Sequence, residues 1–293
     1  MASAILLCAG FGTRLKPLTD ELPKPLVPIG DRSILEHAAS RLAQAGFREM
    51  VVNMHHLSQV FAPYIERLPI KAQVIHETEI RGTAGGVSGA REYLRSAPIL
   101  VWNGDIFVDP PLDELLADAA PDHFCFGVAP RALGEGTIGL DDRGRVVRLR
   151  GERFGEETQS GDYVGVLALG AATLAALPES GCLFADGALP RLRAGGSITS
   201  VPVTRPWTDA GEPAALIDAN RAWLRARNLD SFVAPGAELA SGVRLLASVV
   251  CAGARVGGEG AIERSLVCPG AVAVAPLADA IVTPSGRVVQ VRA

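Results

Sequence analysis

Two-thirds of this chain is an alternation, and that alternation restricts the fold more than any single residue does. Short apolar runs at 5–9, 50–53, 72–76 and 99–102 are separated by segments whose apolar residues recur at helical spacing, at 33–45, 57–65 and 83–94. Continuous apolar runs of this length suit buried strands, and the i, i+3, i+4 recurrence suits amphipathic helices. Strand–helix–strand order gives βαβ units, hence an α/β domain with parallel strand pairs covered on both faces. Further strands are expected at 124–128, 146–149, 163–169 and 198–203, with helices at 112–119 and 212–227. Ser33 and Glu36 match a capping box and Gly46 supplies the stop. In such sheets ligands bind beyond the carboxyl ends of the strands. That rule singles out the loops after Ala9, His76 and Trp102.

Near Asp230 the helical periodicity stops. Val233, Leu239 and Leu245, then Val250, Val256 and Ile262, recur six apart within each set, with small and turn residues between them. Ala234-Pro235-Gly236-Ala237 and Cys268-Pro269-Gly270-Ala271 are examples. A six-residue period is the signature of a parallel β-helix, whose turns stack on one another. Two domains are therefore expected: 1–228, the α/β domain, and 229–293, a hexapeptide-repeat β-helix tail. The closing 285–293 reads as a strand or a frayed end.

Composition narrows the partners. A formal charge of −4 argues against a nucleic-acid surface, which needs a basic excess. The opening apolar run, 4–9, has no basic flank and is too short for a leader or a membrane span, so a cytoplasmic chain with no membrane partner is expected. Cys8, Cys125, Cys182, Cys251 and Cys268 are odd in number and never form C-x-x-C, which points to reduced, buried thiols rather than disulfides or zinc ligands. His55, His56 and His76 close strands but lack ligand spacing with a carboxylate, and read as structural. Only three lysines occur, Lys16, Lys24 and Lys71, against many arginines. A lysine retained in such a chain can mark a place where a compact ammonium is needed, although Lys71 has no such setting.

The densest chemistry is N-terminal. Leu6-Leu7-Cys8-Ala9 runs into Gly10-Phe11-Gly12-Thr13-Arg14-Leu15-Lys16-Pro17-Leu18-Thr19, then Pro23-Lys24-Pro25. Glycines let the backbone approach a ligand, and successive amides form an anion-binding concavity. A dinucleotide fingerprint would need a third glycine where Leu15 stands, and a P-loop would need Gly-Lys-Ser/Thr. Flanking prolines stiffen the backbone around Lys24, although a surface lysine is the plainer reading. Asp105, in Trp102-Asn103-Gly104-Asp105, and Asp209, in Trp207-Thr208-Asp209-Ala210-Gly211, are either functional carboxylates or turn and helix caps.

Together these segments resemble the signature of the sugar-1-phosphate nucleotidylyltransferases, G-x-G-T-R-L-x-P-L-T followed by P-K-P, with W-x-D-x-G later. The resemblance spans about 3–224 and implies a Rossmann-like, mixed-sheet nucleotidyltransferase domain carrying a short left-handed β-helix. It implies transfer of a nucleotidyl group from an NTP to a sugar 1-phosphate, with Mg²⁺ on Asp105 and Asp209. Arg14 and Lys24 become the catalytic cations; Ala9, Gly10, Phe11, Gly12, Thr13, Gly82, Thr83 and Asn103 become nucleotide contacts. Gly82 and Thr83 lie in Arg81-Gly82-Thr83-Ala84-Gly85-Gly86, which is similar to the family's L-G-T-A-G loop, with Arg81 replacing the leucine. On the acceptor side the resemblance implicates Gly136, Glu152 and Gly165. Here the chain departs from its pattern: where most relatives carry E-K-P it reads Glu152-Arg153-Phe154, leaving Arg150 or Arg153 to replace the lysine. The branches acting on mannose 1-phosphate and on N-acetylmuramate 1-phosphate each fit in part. Cytidylyl transfer to phosphocholine and a non-catalytic nucleotide-sugar sensor are the alternatives, and pairing of chains through the tail is a further expectation.

Overall fold

A computed structural model describes residues 2–291. They divide into two compact units. One comprises the residues up to Gly10, Ala38–Ser58 and Arg67–Trp207; the other comprises Phe11–His37, Gln59–Glu66 and the residues from Thr208 onward.

The first unit is built on a mixed sheet. Ser3–Leu7 lies parallel between Glu49–Met54 and Ile99–Asn103, and Lys71–His76 extends the parallel group. These are the strands expected from the apolar runs; the first three read as continuous because both faces are covered, whereas Lys71–His76 at the end of the sheet is only partly covered. Gln159–Leu169 then runs antiparallel to Ile99–Asn103, Phe124–Arg131 and Ile138–Leu140, while Thr199–Pro202 returns parallel to Phe124–Arg131. Ile5, Val101, Phe126 and Leu167 lie fully buried in the core of this unit.

Helices depart further from the pattern. The expected 83–94 helix is regular only over Gly82–Gly89, since its glycines carry little helix propensity and the chain relaxes into turns beyond them. The 112–119 helix keeps only Leu112–Leu115. Shortly beyond, the Asp118 carboxylate takes the Ala120 amide at 2.8 Å, the kind of local bond that competes with helix. In place of 57–65, a 3₁₀ turn Ser58–Phe61 leads into Ala62–Ile65, because Leu57 adopts a positive φ of 51°. Helical turns at Leu183–Ala188 and Leu189–Arg193 are masked in the sequence by Gly187 and Pro190. The capping box forms as expected: the Glu36 amide donates to Ser33 Oγ at 3.2 Å, and the Glu36 carboxylate accepts the Ser33 amide at 2.9 Å.

In the second unit the helix Pro213–Arg225 anchors the N-terminal segment. Asn220 accepts the Gly30 amide at 2.8 Å and donates to the Pro28 carbonyl at 3.1 Å. Gly30 has a φ of 65°, and a Cβ there would strike the Trp223 indole. Further on, short strands stack in parallel. Val233 pairs with Val250, Leu239 with Val256 and Leu245 with Ile262, each with the residue 17 positions on. The six residues picked out by spacing thus fall into three ladder pairs. The stack continues through Val267 and Ala273, and its interior is lined by Val250, Val256, Ile262 and small residues such as Ala254 and Ala271. Val288–Gln290 closes it antiparallel to Ala280–Val282, so 285–293 contains a strand, with 292 and 293 outside the described residues. No helix of the described residues is long and apolar enough to cross a membrane.

Candidate active site

In the first unit, three adjacent parallel strands end at one level, with Leu7 in register with both Asn53 and Asn103. Buried polar contacts fix the loops that leave these strand ends. The Cys8 amide donates to Asn53 Oδ1 at 2.8 Å, and Asn53 Nδ2 donates to Glu77 Oε1 at 2.7 Å. The other Glu77 oxygen accepts the Arg81 amide at 3.3 Å. A chain of hydrogen bonds therefore links the residues just before Ala9 and Gly10 to those just before Gly82 and Thr83. Asn53 and Glu77 are not among the site residues expected from the sequence. The available signal is a polar residue closing the run Met50-Val51-Val52-Asn53, since a buried amide needs partners. His55 serves the same corner structurally, its Nδ1 lying 2.8 Å from the Glu77 carbonyl.

Asp105 sits in the turn between Ile99–Asn103 and Ile106–Val108. The Gly104 amide donates to the Leu7 carbonyl at 2.9 Å, and the Trp102 indole donates to the Ile106 carbonyl at 3.2 Å, so the turn is closed on both sides. Gly165 supports it from the neighbouring strand: with φ at 75°, a Cβ there would lie 3.1 Å from Ile106 Cβ. Burial and then the negative charge of Asp105 push the Cys8 thiol and the Tyr163 hydroxyl upward in pKa. Tyr163 packs on Phe126 and Phe184 with ring centroids 5.4 and 4.8 Å apart. Its buried hydroxyl has no hydrogen-bond partner among the described residues.

Gly82 has a φ of 74° and is stitched to a neighbouring loop: the Gly181 amide donates to the Arg81 carbonyl at 2.7 Å, and the Ala84 amide to the Gly181 carbonyl at 2.9 Å. Thr83 Oγ1 accepts the Leu183 amide at 2.8 Å. Of the residues expected on the acceptor side, Gly165 packs at the Asp105 turn, whereas Gly136 and Glu152 belong to other contacts of this unit. Gly136 presents its carbonyl to Arg148 at 3.1 Å. Glu152, half-buried, forms a two-pronged pair with Arg193, whose guanidinium holds its carboxyl below the usual range. The buried carboxylate here is Glu157, which spacing alone does not reveal. Its side chain is 4% exposed and is gripped by Arg148 at 2.8 Å and Ser160 at 2.7 Å. Those bonds, Arg148 first, bring its pKa down to about 2. Arg153 reaches Glu157 at 3.4 Å, and Arg150 adopts a φ of 50°.

In the second unit the signature segment folds around Gly12. With φ at 62°, Gly12 turns the chain so that its carbonyl accepts the Leu15 amide at 3.0 Å and Thr19 Oγ1 at 2.8 Å. Phe11 is exposed, and Thr13–Leu15 forms a 3₁₀ turn carrying Arg14. Asp209 gathers both cations. Its Oδ1 lies 3.0 Å from Lys24 Nζ and its Oδ2 lies 3.4 Å from Arg14, which also reaches Glu212 at 3.4 Å. Lys24 is almost buried, its side chain 8% exposed, whereas Arg14 is 58% exposed. Gly211 leaves room for this arrangement, since a Cβ there would lie 2.6 Å from the Arg14 guanidinium. The helix beginning at Pro213 has no side-chain cap, so the capping alternative for Asp209 gives way to ion pairing. Among the described residues no group of three His, Cys, Asp or Glu is arranged to hold a metal ion by itself. Asp105 and Asp209 are hard oxygen donors, and a carboxylate oxygen paired with a cation keeps lone pairs for a dication.

A glycine turn, a nearly buried lysine and an arginine paired to the same carboxylate are thus gathered in one cluster of the second unit. The chain belongs to the nucleotidyl transferase family, whose sequence model matches residues 3–226. Among curated relatives, the catalytic subunit beta of mannose-1-phosphate guanylyltransferase from Dictyostelium discoideum is 40% identical over 119 residues, which cover 39% of this chain and 33% of that protein. A probable mannose-1-phosphate guanylyltransferase 1 from Oryza sativa subsp. japonica is 29% identical over 274 residues, covering 88% of this chain and 74% of the relative. The chain thus spans about a third of the first relative and about three quarters of the second. Its fold is similar to that of HddC from Yersinia pseudotuberculosis, with a TM-score of 0.64 at 19% identity over 76% of this chain and 100% of the other.

Proposed function

We propose that the chain transfers a nucleotidyl group from a nucleoside triphosphate to a sugar 1-phosphate, giving an NDP-sugar and pyrophosphate. The observation that carries this reading is Lys24, nearly buried beside Gly12 and paired with Asp209, within the stretch matched by the family. In the reaction a sugar-phosphate oxygen attacks the α-phosphorus in line. The bond from that phosphorus to the bridging oxygen breaks, and pyrophosphate leaves with the electron pair. Such transfer asks the protein for position and charge rather than a covalent nucleophile. Amides of Ala9, Gly10, Phe11, Gly12 and Thr13 are the proposed cradle for the triphosphate, with Gly82, Thr83 and Asn103 toward the nucleoside. Arg14 and Lys24 offset charge on the departing pyrophosphate. Gly136, Glu152 and Gly165 are assigned to the acceptor side.

The family generally uses a divalent metal, and Mg²⁺ is the ion we assign, with Asp105 and Asp209 as its carboxylate ligands. When bound, it supplies charge neutralisation at phosphate oxygens. Residues 1–228 are proposed as the catalytic domain and 229–293 as a left-handed parallel β-helix through which chains pair. The 17-residue ladder offset and small-residue interior support the second assignment. A reducing cytoplasm suits the five free cysteines. Neither alternative gains support. The rings of Phe126, Tyr163 and Phe184 are spent on one another rather than open as a cage for a quaternary ammonium. A non-catalytic sensor would have no need of both cations and the carboxylate that pairs with them.

The test is a pyrophosphate-release screen crossing the common NTPs with a panel of sugar 1-phosphates. The relatives' names make GTP with mannose 1-phosphate the first pair. Turnover is expected with at least one pair, and no release with any pair contradicts the proposal.

A further inference from the structure

Apart from the cation cluster, the signature segment is also tied to the C-terminal stack. Glu21 lies between Thr19, which bonds Gly12, and Lys24. Its carboxylate accepts three hydrogen bonds from the turn that joins the last two strands: Thr283 Oγ1 at 3.0 Å, the Ser285 amide at 2.8 Å and Ser285 Oγ at 2.7 Å. Arg287 adds charge at 3.7 Å. The carboxylate is largely buried, and although burial pushes its pKa up, the Ser285 and Thr283 bonds and Arg287 bring it down, so it is held as the anion.

The path from this contact to the phosphate-handling side chains is short and stiff. Leu22 bonds back to Leu18, and Pro23 and Pro25 restrict the backbone on either side of Lys24. The Leu26 amide donates to the Pro23 carbonyl at 2.8 Å. Lys24 Cβ lies 3.2 Å from where a Gly12 Cβ would be and Thr19 Cγ2 lies 2.9 Å from it, so Gly12, Thr19 and Lys24 are closely packed. Nothing in nucleotidyl transfer itself calls for an acceptor at position 21 aimed at the C-terminal stack.

We propose that Glu21 is a positioning residue through which the Thr283–Ser285 turn of the C-terminal stack sets the placement of Lys24 and Arg14. The stack is then part of the working transferase rather than an appendage. The inference rests on the reading of Lys24 and Arg14 as phosphate-binding cations, but its structural half does not.

Two measurements on the full chain separate these halves. In the tail variant Thr283→Val/Ser285→Ala, hydrogen exchange of amides in 11–26 is expected to accelerate about tenfold, while exchange in Ile99–Asn103 stays unchanged. In the same variant kcat for pyrophosphate release should fall about tenfold with the KM for sugar phosphate unmoved, and the melting temperature should change little. Glu21→Ala should reproduce both effects, and combining it with the tail substitutions should add no further loss. Unaltered exchange at 11–26, or losses that simply add, would overturn the proposal. So would normal kcat in an active enzyme whose 11–26 segment has loosened. If the wild-type chain releases no pyrophosphate with any pair, the transfer reading fails, and the exchange experiment still decides whether the turn holds the segment.

Discussion

The carboxyl ends of the parallel strands and the signature segment are held in place by opposite means. At the strand ends, register and buried hydrogen bonds hold the turns: Cys8 on Asn53, Asn53 on Glu77, Gly104 on Leu7. The 11–26 segment contains no strand. It is held by single 3₁₀ turns, the Thr19 hydroxyl, ion pairs to Asp209 and Glu212, and the bonds that the Glu21 carboxylate takes from Thr283 and Ser285. The end of a central strand can aim a carboxylate such as Asp105 through the closed turn that carries it. The two cations of the signature segment are instead held by a counter-charge, Asp209. The first region should therefore fail through packing and unsatisfied polar groups, the second through charge.

Charge replacement in the second region should have the largest effect. Lys24→Ala is expected to lower kcat/KM for pyrophosphate release by about 10³-fold, the scale of losing one preorganised donor to developing charge, with the melting temperature nearly unchanged. Lys24→Arg should not restore it, because a planar guanidinium fork does not replace a compact ammonium. Recovery to a tenth of normal activity or better would break the contrast. In the first region, Asn53→Leu strands the Cys8 amide and a Glu77 oxygen, and should cost about 3 kcal/mol in denaturant unfolding. Stability within error of the parent would show that the network is not what holds the strand ends.

Glu157 offers a pH test. Its pKa is lowered from 4.5 to about 2 by Arg148 and Ser160. A lowered carboxylate contributes stability fully above its unfolded pKa and loses it as pH falls through the folded one. Unfolding free energy should thus drop by on the order of 2 kcal/mol across that window, and Glu157→Gln should flatten this component. The smallest effect is expected at the turn bearing Asp105. Gly165→Ala, at positive φ and against Ile106, should cost about 1–2 kcal/mol and lower kcat more than KM for NTP. A change in KM alone would place Gly165 away from the chemistry of Asp105.

The parts legible in sequence are those that local physics dictates. Gly12 combines a positive φ with a place where a Cβ would press on Thr19, the central strands announce themselves as apolar runs, and the tail's six spaced residues fall into its ladder pairs. The hidden parts depend on distant partners. Asn53 and Glu77 are 24 residues apart and Glu21 and Ser285 are 264 apart. Glu157 looks like one acid among several until Arg148 and Ser160 close on it. The helix after Gly82 is shorter than its spacing suggests because its apolar period is right while its glycines are too many.

The central claim, nucleotidyl transfer to a sugar 1-phosphate, is tested most directly by product stoichiometry. The wild-type chain is incubated with GTP, mannose 1-phosphate and Mg²⁺, then with the other screened pairs. Pyrophosphate and NDP-sugar should appear in equal amounts, and added pyrophosphate should drive NDP-sugar back to NTP. Release of inorganic phosphate instead, or pyrophosphate without any NDP-sugar, would contradict it.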